Sequence, residues 1–98
     1  MEKHIERYVR KQIEQMGGRC LKWVCPGNVG VPDRIILLPH RTIYFIEFKD
    51  TSYKPTALQE WWGDELRRMG FKWRIIQGMD EAHAFIAMLK GEVMPGAV

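Results

Sequence analysis

Cysteine is scarce in this sequence, its apolar runs are short and its histidines do not cluster, and each shortage removes a class of protein. Cys20 and Cys25 are the only cysteines among 98 residues. Their odd separation sends them to opposite faces of an extended segment, so a local disulfide is not expected and both thiols are read as reduced. His4, His40 and His83 show no metal-ligand spacing, which argues against a zinc site. The longest aliphatic run, Ile35 to Leu38, falls far short of the roughly 20 residues that span a bilayer, so no membrane helix is expected. No apolar segment follows Met1-Glu2-Lys3-His4, so a signal peptide is not expected and the chain is read as cytoplasmic. Internal repeats, low-complexity tracts and linkers are also missing.

What is there suits one small globular domain spanning 1–98, with 46% hydrophobic and 28% charged residues. The formal charge is +3, and the surface is more basic still if Glu6, Asp33 and Glu47 are set aside as a candidate acidic site. An acidic pocket in a basic surface suits a polyanion held near bound cations, although a merely soluble basic protein has the same balance.

Apolar spacing orders the chain. Ile5, Val9, Ile13 and Met16 share one helical face over residues 2–16, with Gln12 among them, and Gly17-Gly18 ends that helix. Strands are expected over 19–25, 33–38 and 42–49, the last two joined at Pro39-His40-Arg41. A helix over 56–69, a short strand over 72–77 and a last helix over 80–90, stopped by Gly91, complete an α-β-β-β-α-β-α order. The strand pair 33–38 and 42–49 is apolar on both faces, as central strands are. The fold class is therefore α/β, a four-stranded mixed sheet flanked by helices.

Charge collects at the end of this sheet. In a hairpin centred on His40, partner numbers sum to 80, so Asp33 stands opposite Glu47 on one face. Like charges there repel unless a cation lies between them. Mg²⁺ takes oxygen ligands and is commonly held by one or two carboxylates plus substrate phosphate. Lys49, two residues beyond Glu47 and on the same face, is placed to position or deprotonate an attacking water, or to stabilise charge on a phosphate. The alternative is a surface ion pair between Glu47 and Lys49 at a fraying strand end, with Asp33 serving a turn after Pro32.

These residues resemble a known family. Val31-Pro32-Asp33 followed by Glu47-Phe48-Lys49 is similar to the PD-(D/E)xK nuclease signature. The longer set adds Ile5-Glu6, Pro26-Gly27, Gly30-Val31-Pro32-Asp33-Arg34, Phe45-Ile46-Glu47-Phe48-Lys49 and Leu58-Gln59, and resembles the stand-alone VRR-NUC domain of phages and bacteria. The resemblance implies a restriction-endonuclease-like core and a Mg²⁺- or Mn²⁺-dependent endonuclease acting on structured DNA such as four-way junctions, often as a homodimer. It further implies metal ligation by Asp33, Glu47 and the Phe48 carbonyl, catalysis by Lys49, and contributions from Glu6 and Gln59. If the chain is phage-encoded, its compartment is the host cytoplasm.

Two of these residues carry an equally good structural reading. Glu6 flanks the apolar stripe of its helix and can pair with Arg10 at i+4. Gln59 closes the capping box Thr56-Ala57-Leu58-Gln59, a role compatible with one in the site. Around the site, Lys22, Arg34 and Lys54 are candidate phosphate contacts, Tyr53 and Trp23 candidate stacking platforms, and Gly30 a point of close backbone approach. Four tryptophans and six methionines are a large apolar supply for one small core. A homodimer contact is therefore expected on helix two, with Trp61 and Trp62, or on helix three, with Phe85 and Met88. The rival function is a catalytically idle nucleic-acid-binding module within a larger replication or repair complex, and an RNA substrate is a third possibility without an RNA motif to support it.

Overall fold

A computed structural model describes residues 2–93. The elements are α1 (Glu2–Gln15), β1 (Arg19–Lys22), β2 (Arg34–Leu38), β3 (Thr42–Lys49), α2 (Ala57–Arg68), β4 (Lys72–Gln77) and α3 (Gly78–Val93). The sheet runs β1-β2-β3-β4 in space. The first two pairings are antiparallel and the third, β3 with β4, is parallel, the mixed arrangement expected from the sequence. Parallel neighbours need a crossover, and α2 supplies it.

Side-chain alternation divides the sheet into two faces. Ile36 and Leu38 of β2, Tyr44, Ile46 and Phe48 of β3 and Ile76 of β4 point into one core with Ile5, Val9 and Ile13 of α1 and Phe85, Ile86 and Leu89 of α3. The other face carries Phe45, packed tilted against Trp23 and edge-to-face with Phe71, with ring centroids 5.0 and 5.5 Å apart. It also carries Trp73, which takes the contact with α2. Buried Gly63 is what lets that helix approach, because a Cβ there would stand 2.6 Å from the Trp73 indole. Phe85 is 3% exposed, so its place is in the core and not on the partner-facing surface suggested for helix three.

Three expected boundaries shift by two residues or more. Strand β1 stops at Lys22 instead of residue 25: Trp23 N–H still donates to the Asp33 carbonyl at 2.8 Å, but the chain then leaves the sheet and Val24 is 68% exposed. Helix α3 begins two residues early at Gly78 and passes through Gly91. One helical glycine costs only about 1 kcal/mol, and at Gly91 it is outweighed by the packing of Phe85, Ile86 and Leu89. The hairpin turn holds His40 and Arg41 in the left-handed region, φ 64° and 62°, although neither is glycine. Both cysteines are free, and burial, helped by the Glu6 charge, pushes the Cys20 thiol up to about 12. Among the described residues no helix is long and apolar enough to cross a membrane.

Candidate functional site

The register of the hairpin decides where the charges meet. Arg34 pairs with Ile46 and Leu38 with Thr42, so one further step places Asp33 beside Glu47 on the Phe45 face. Phe48 lies between Glu47 and Lys49 with its ring 1% exposed in the core, which leaves only its backbone available to the site. In β4, Ile75 is the partner of Glu47 and Gln77 that of Lys49. The site thus forms at the exit of β3, where β2, β3 and β4 all contribute.

Glu47 is 5% exposed, and among the described residues it is the buried charged side chain of the core. Lys49 Nζ stands 3.3 Å from its Oε2, and Gln59 Nε2 donates to the same oxygen at 3.5 Å. Both donors address Oε2, so Oε1 is the oxygen left for another partner. Asp33 has a side chain 41% exposed overall, yet its Oδ1 is buried and has no hydrogen-bond partner. Its Oδ2 lies 3.8 Å from Arg34 Nη1.

The electrostatics follow from this crowding. Burial raises the Asp33 carboxyl, with Arg34 and Lys49 pulling against it. Burial also raises Glu47, the neighbouring Asp33 charge adds to the rise, and Lys49 opposes it. For Lys49, burial alone would lower the ammonium, but the Glu47 carboxylate outweighs it and the net shift is upward. The lysine is held charged between two acids.

Gln59 serves both of its sequence readings at once. Its N–H donates to Thr56 Oγ1 at 3.1 Å and its Oε1 accepts from Thr56 N–H at 2.9 Å, a complete capping box at the start of α2. Its amide nitrogen is then the group turned to Glu47. The cap fixes the rotamer that delivers the donor.

Glu6 belongs to the α1 layer and approaches only indirectly: Arg34 Nε lies 3.7 Å from its Oε2, while Arg10 Nε lies 3.6 Å from the same oxygen. Arg34 therefore bridges Glu6 and Asp33, and its guanidinium is directed inward. Lys22 and Lys54 are exposed. The ring of Tyr53 is covered by Lys49, whose Nζ stands 4.7 Å from its centroid, and its hydroxyl is buried without a partner. Gly30 adopts φ +94° against Leu58, where a Cβ would come within 2.8 Å of that side chain. This contact and the bond from Trp62 Nε1 to the Val29 carbonyl, 3.2 Å, seat the glycine loop on α2.

The sequence reading missed Gln77. Its amide donates to the carbonyls of Tyr53 and Asp50, tying the segment after β3 to β4 and holding the Tyr53 ring over Lys49. A polar residue at the end of a short strand was the only signal, and nothing local says which loop it holds.

A divalent cation implied by the family resemblance can be tested against these atoms. A buried anionic oxygen without a donor, Asp33 Oδ1, is what a hard cation satisfies, and Glu47 supplies a second carboxylate beside it. Among the described residues no three or more His, Cys, Asp or Glu side chains converge, so backbone, water and substrate oxygens must complete the shell. That is the mode Mg²⁺ favours.

Fold and site together define an α/β domain in which a mixed sheet ends in two adjacent carboxylates and a lysine. Its architecture is that of a VRR-NUC domain. A solved structure described as "VRR_NUC domain" superposes with a TM-score of 0.82 at 26% identity, covering 88% of this chain and 94% of that one. A second, "VRR_NUC domain protein", shares the fold at TM-score 0.65 and 16% identity over 96% of this chain and 85% of its own. In sequence the chain is 41% identical over 58 residues to "Putative nuclease p44" of Acyrthosiphon pisum secondary endosymbiont phage 1. That match spans 59% of this chain and 62% of the relative's length. No protein-family model matches the sequence.

Proposed function

We propose that this chain is a divalent-metal-dependent endonuclease that hydrolyses DNA phosphodiesters. The observation that carries the reading is the Asp33/Glu47 pair with its unpartnered buried oxygen and Lys49 3.3 Å from Glu47. The phage relative described as a nuclease and the VRR_NUC structures support the same reading. Asp33, Glu47 and the Phe48 carbonyl would hold the Mg²⁺ or Mn²⁺. Bound there, the cation would supply Lewis-acid stabilisation of the charge that builds on the phosphate oxygens.

The chain's own residues do the rest. Asp33 and Glu47 present oxygens on one rigid sheet face, so their spacing costs no reorganisation during reaction. Lys49 stabilises the developing negative charge on the phosphate and positions the attacking water, 3.3 Å as it is from Glu47. Gln59 restrains Glu47, and Arg34, itself anchored by Glu6, restrains Asp33. Lys22 and Lys54 are the exposed cations proposed to meet the DNA backbone.

The finer part of the proposal is a symmetric homodimer that cuts branched DNA such as a four-way junction. Trp61, Leu58 and Val29 are 51%, 44% and 77% exposed on α2 and the loop packed against it, an apolar supply that supports helix two as the contact. Two related sites match the two related strands of a junction.

The test incubates supercoiled plasmid and a labelled four-way junction with the protein in Mg²⁺, Mn²⁺ or EDTA, with light scattering across a concentration series. Cleavage should require the metal, and Glu47→Ala should abolish it. Lys49→Ala should bind DNA normally and lower the single-turnover rate by about 10²- to 10³-fold. Binding without cleavage by the wild-type protein would identify an idle binding module instead. A monomer at working concentration would remove the dimer, and equal rates on junction and linear duplex would remove the junction preference.

A further inference from the structure

Along the outer edge of the sheet, on β4, three hollows adjoin one another and none of them includes Asp33, Glu47 or Lys49. The central one, about 700 Å³, is lined by Arg67, Lys72, Trp73 and Arg74 together with Tyr44, Phe71, Ile75 and Glu92. The second shares Phe71 and Lys72 with it and adds Arg41; the third shares Arg74 and Ile75 and adds Glu81. Shared walls make these one groove. Arg41, Arg67, Lys72 and Arg74 line it together with Glu81 and Glu92, so its lining is net positive.

The cations are held in place. The Arg67 guanidinium lies 4.9 Å from the Trp73 ring centroid, Lys72 Nζ 5.1 Å from that of Tyr44, and the Arg74 guanidinium 5.9 Å from that of Phe85. Glu92 accepts from the Tyr44 hydroxyl at 3.0 Å and lies 3.7 Å from Lys72, which steadies that ring and that ammonium together. A guanidinium resting on an aromatic face loses little freedom on binding an anion, and Arg74 is held further by Nη2 donating to Met88 Sδ at 3.0 Å.

We propose that this groove is a second nucleic-acid contact, in which Arg41, Arg67, Lys72 and Arg74 bind backbone phosphates of DNA that also reaches the carboxylate site. This rests on the nucleic-acid half of the function proposed above. The partner is argued from charge and reach: the groove wraps the open edge of β4, with Lys72 and Arg74 on the Tyr44 face and Arg67 beside Trp73 on the face that carries Glu47 and Lys49, so a polyanion that fills it and reaches the carboxylates crosses that edge. The five strand steps from Lys72 to Gln77, the partner of Lys49, span about 17 Å at 3.4 Å per residue, the axial length of about five base pairs. A ligand that touches both places must be long and repeat its negative charge. The competing explanation is that the cations merely guard an open strand edge against pairing with another chain.

The experiment measures binding of a fluorescein-labelled DNA duplex by anisotropy in EDTA, so that cleavage plays no part. Arg67→Gln, Lys72→Gln and Arg74→Gln are compared singly and combined with wild type and with Arg7→Gln, an exposed α1 residue, as control. Each groove substitution should lower the slope of log affinity against log salt by about 0.9. Between 50 and 200 mM salt, each lost contact then shrinks the fall in affinity by about 3.5-fold. Melting temperatures identify any variant that fails to fold, and the single substitutions lie on exposed or half-buried side chains where folding should persist. Unchanged slopes in folded variants, with or without new aggregation, overturn the groove as a DNA contact. Wild-type binding with the expected slopes but no metal-dependent cleavage would remove the nuclease reading and leave the groove standing.

Discussion

Replacing Gln59 separates the two tasks of one side chain. Gln59→Ala removes the acceptor for Thr56 N–H, 2.9 Å, and the donor to Glu47 Oε2, 3.5 Å. Loss of a capping interaction costs about 0.5–2 kcal/mol, and the half removed here belongs at the lower end because Thr56 Oγ1 still accepts from the residue 59 N–H. The bond to Glu47 is at the limit of hydrogen-bond length, so it adds less than the 1.5–3 kcal/mol of a well-formed bond to a charged group. Together they predict a loss of about 1–2 kcal/mol, and at about 4–8 °C per kcal/mol a lower melting temperature by roughly 4–16 °C.

Thr56→Ala is the matched perturbation. It breaks the other half of the cap, costs about 1 kcal/mol, and leaves the amide free to restrain Glu47. The cleavage rate per folded molecule should therefore stay near wild type in Thr56→Ala and fall by about tenfold in Gln59→Ala, the kinetic equivalent of about 1.4 kcal/mol. Gln59→Glu completes the series: it keeps the capping acceptor but sets a carboxylate against Glu47, so it should retain the helix and lose the rate. Thermal denaturation by circular dichroism and single-turnover cleavage supply both numbers. Equal rates in Thr56→Ala and Gln59→Ala would refute the site role and leave capping as its only one.

Two further outcomes follow from the same geometry. Asp33 and Glu47 are both raised from ordinary values of 3.8 and 4.5, so the fold favours their protonated forms: that contribution is full below those values and is lost as pH rises through the folded ones. Metal-free Asp33→Asn should accordingly melt higher than wild type, by a margin that widens as pH rises from about 4 to 7, with added Mg²⁺ reversing the order by stabilising only the wild type; a margin independent of pH would show that burial does not disfavour the charged Asp33 carboxylate. In α2, Gly63→Ala puts a methyl 2.6 Å from the Trp73 indole. Overpacking costs about 1–3 kcal/mol against a gain of up to about 1 kcal/mol in helix propensity, so a net loss is expected, and a variant as stable as wild type in urea would mean that α2 shifts freely.

The elements and the central pairing were legible in the sequence because they rest on local signals. The strand runs on either side and the turn at Pro39-His40-Arg41 set a register that depends only on chain connectivity, and the partners Arg34 and Ile46 obey the sum of 80. The capping box was legible for the same reason, since its residues lie within one helical turn of each other. Boundaries were less so: the packing of α3 outweighs Gly91, and β1 ends where its neighbour does.

By itself, then, the sequence determined the order of elements, the face on which Asp33, Glu47 and Lys49 stand together, and the likeness to VRR-NUC domains, since each depends on residues close in the chain or on an ordered motif. Only the tertiary structure decided what those side chains meet. Gln59 reaches Glu47 because α2 crosses over to make β4 parallel to β3; Arg34 turns inward because α1 sets Glu6 beside it; Gln77 ties down the Tyr53 segment from a strand 24 positions further on. Sequence spacing constrains neighbours along a strand or helix, whereas contacts between layers depend on how far the elements approach each other. That distance is set by residues such as Gly63 and Gly30, whose importance lies in the side chain they lack.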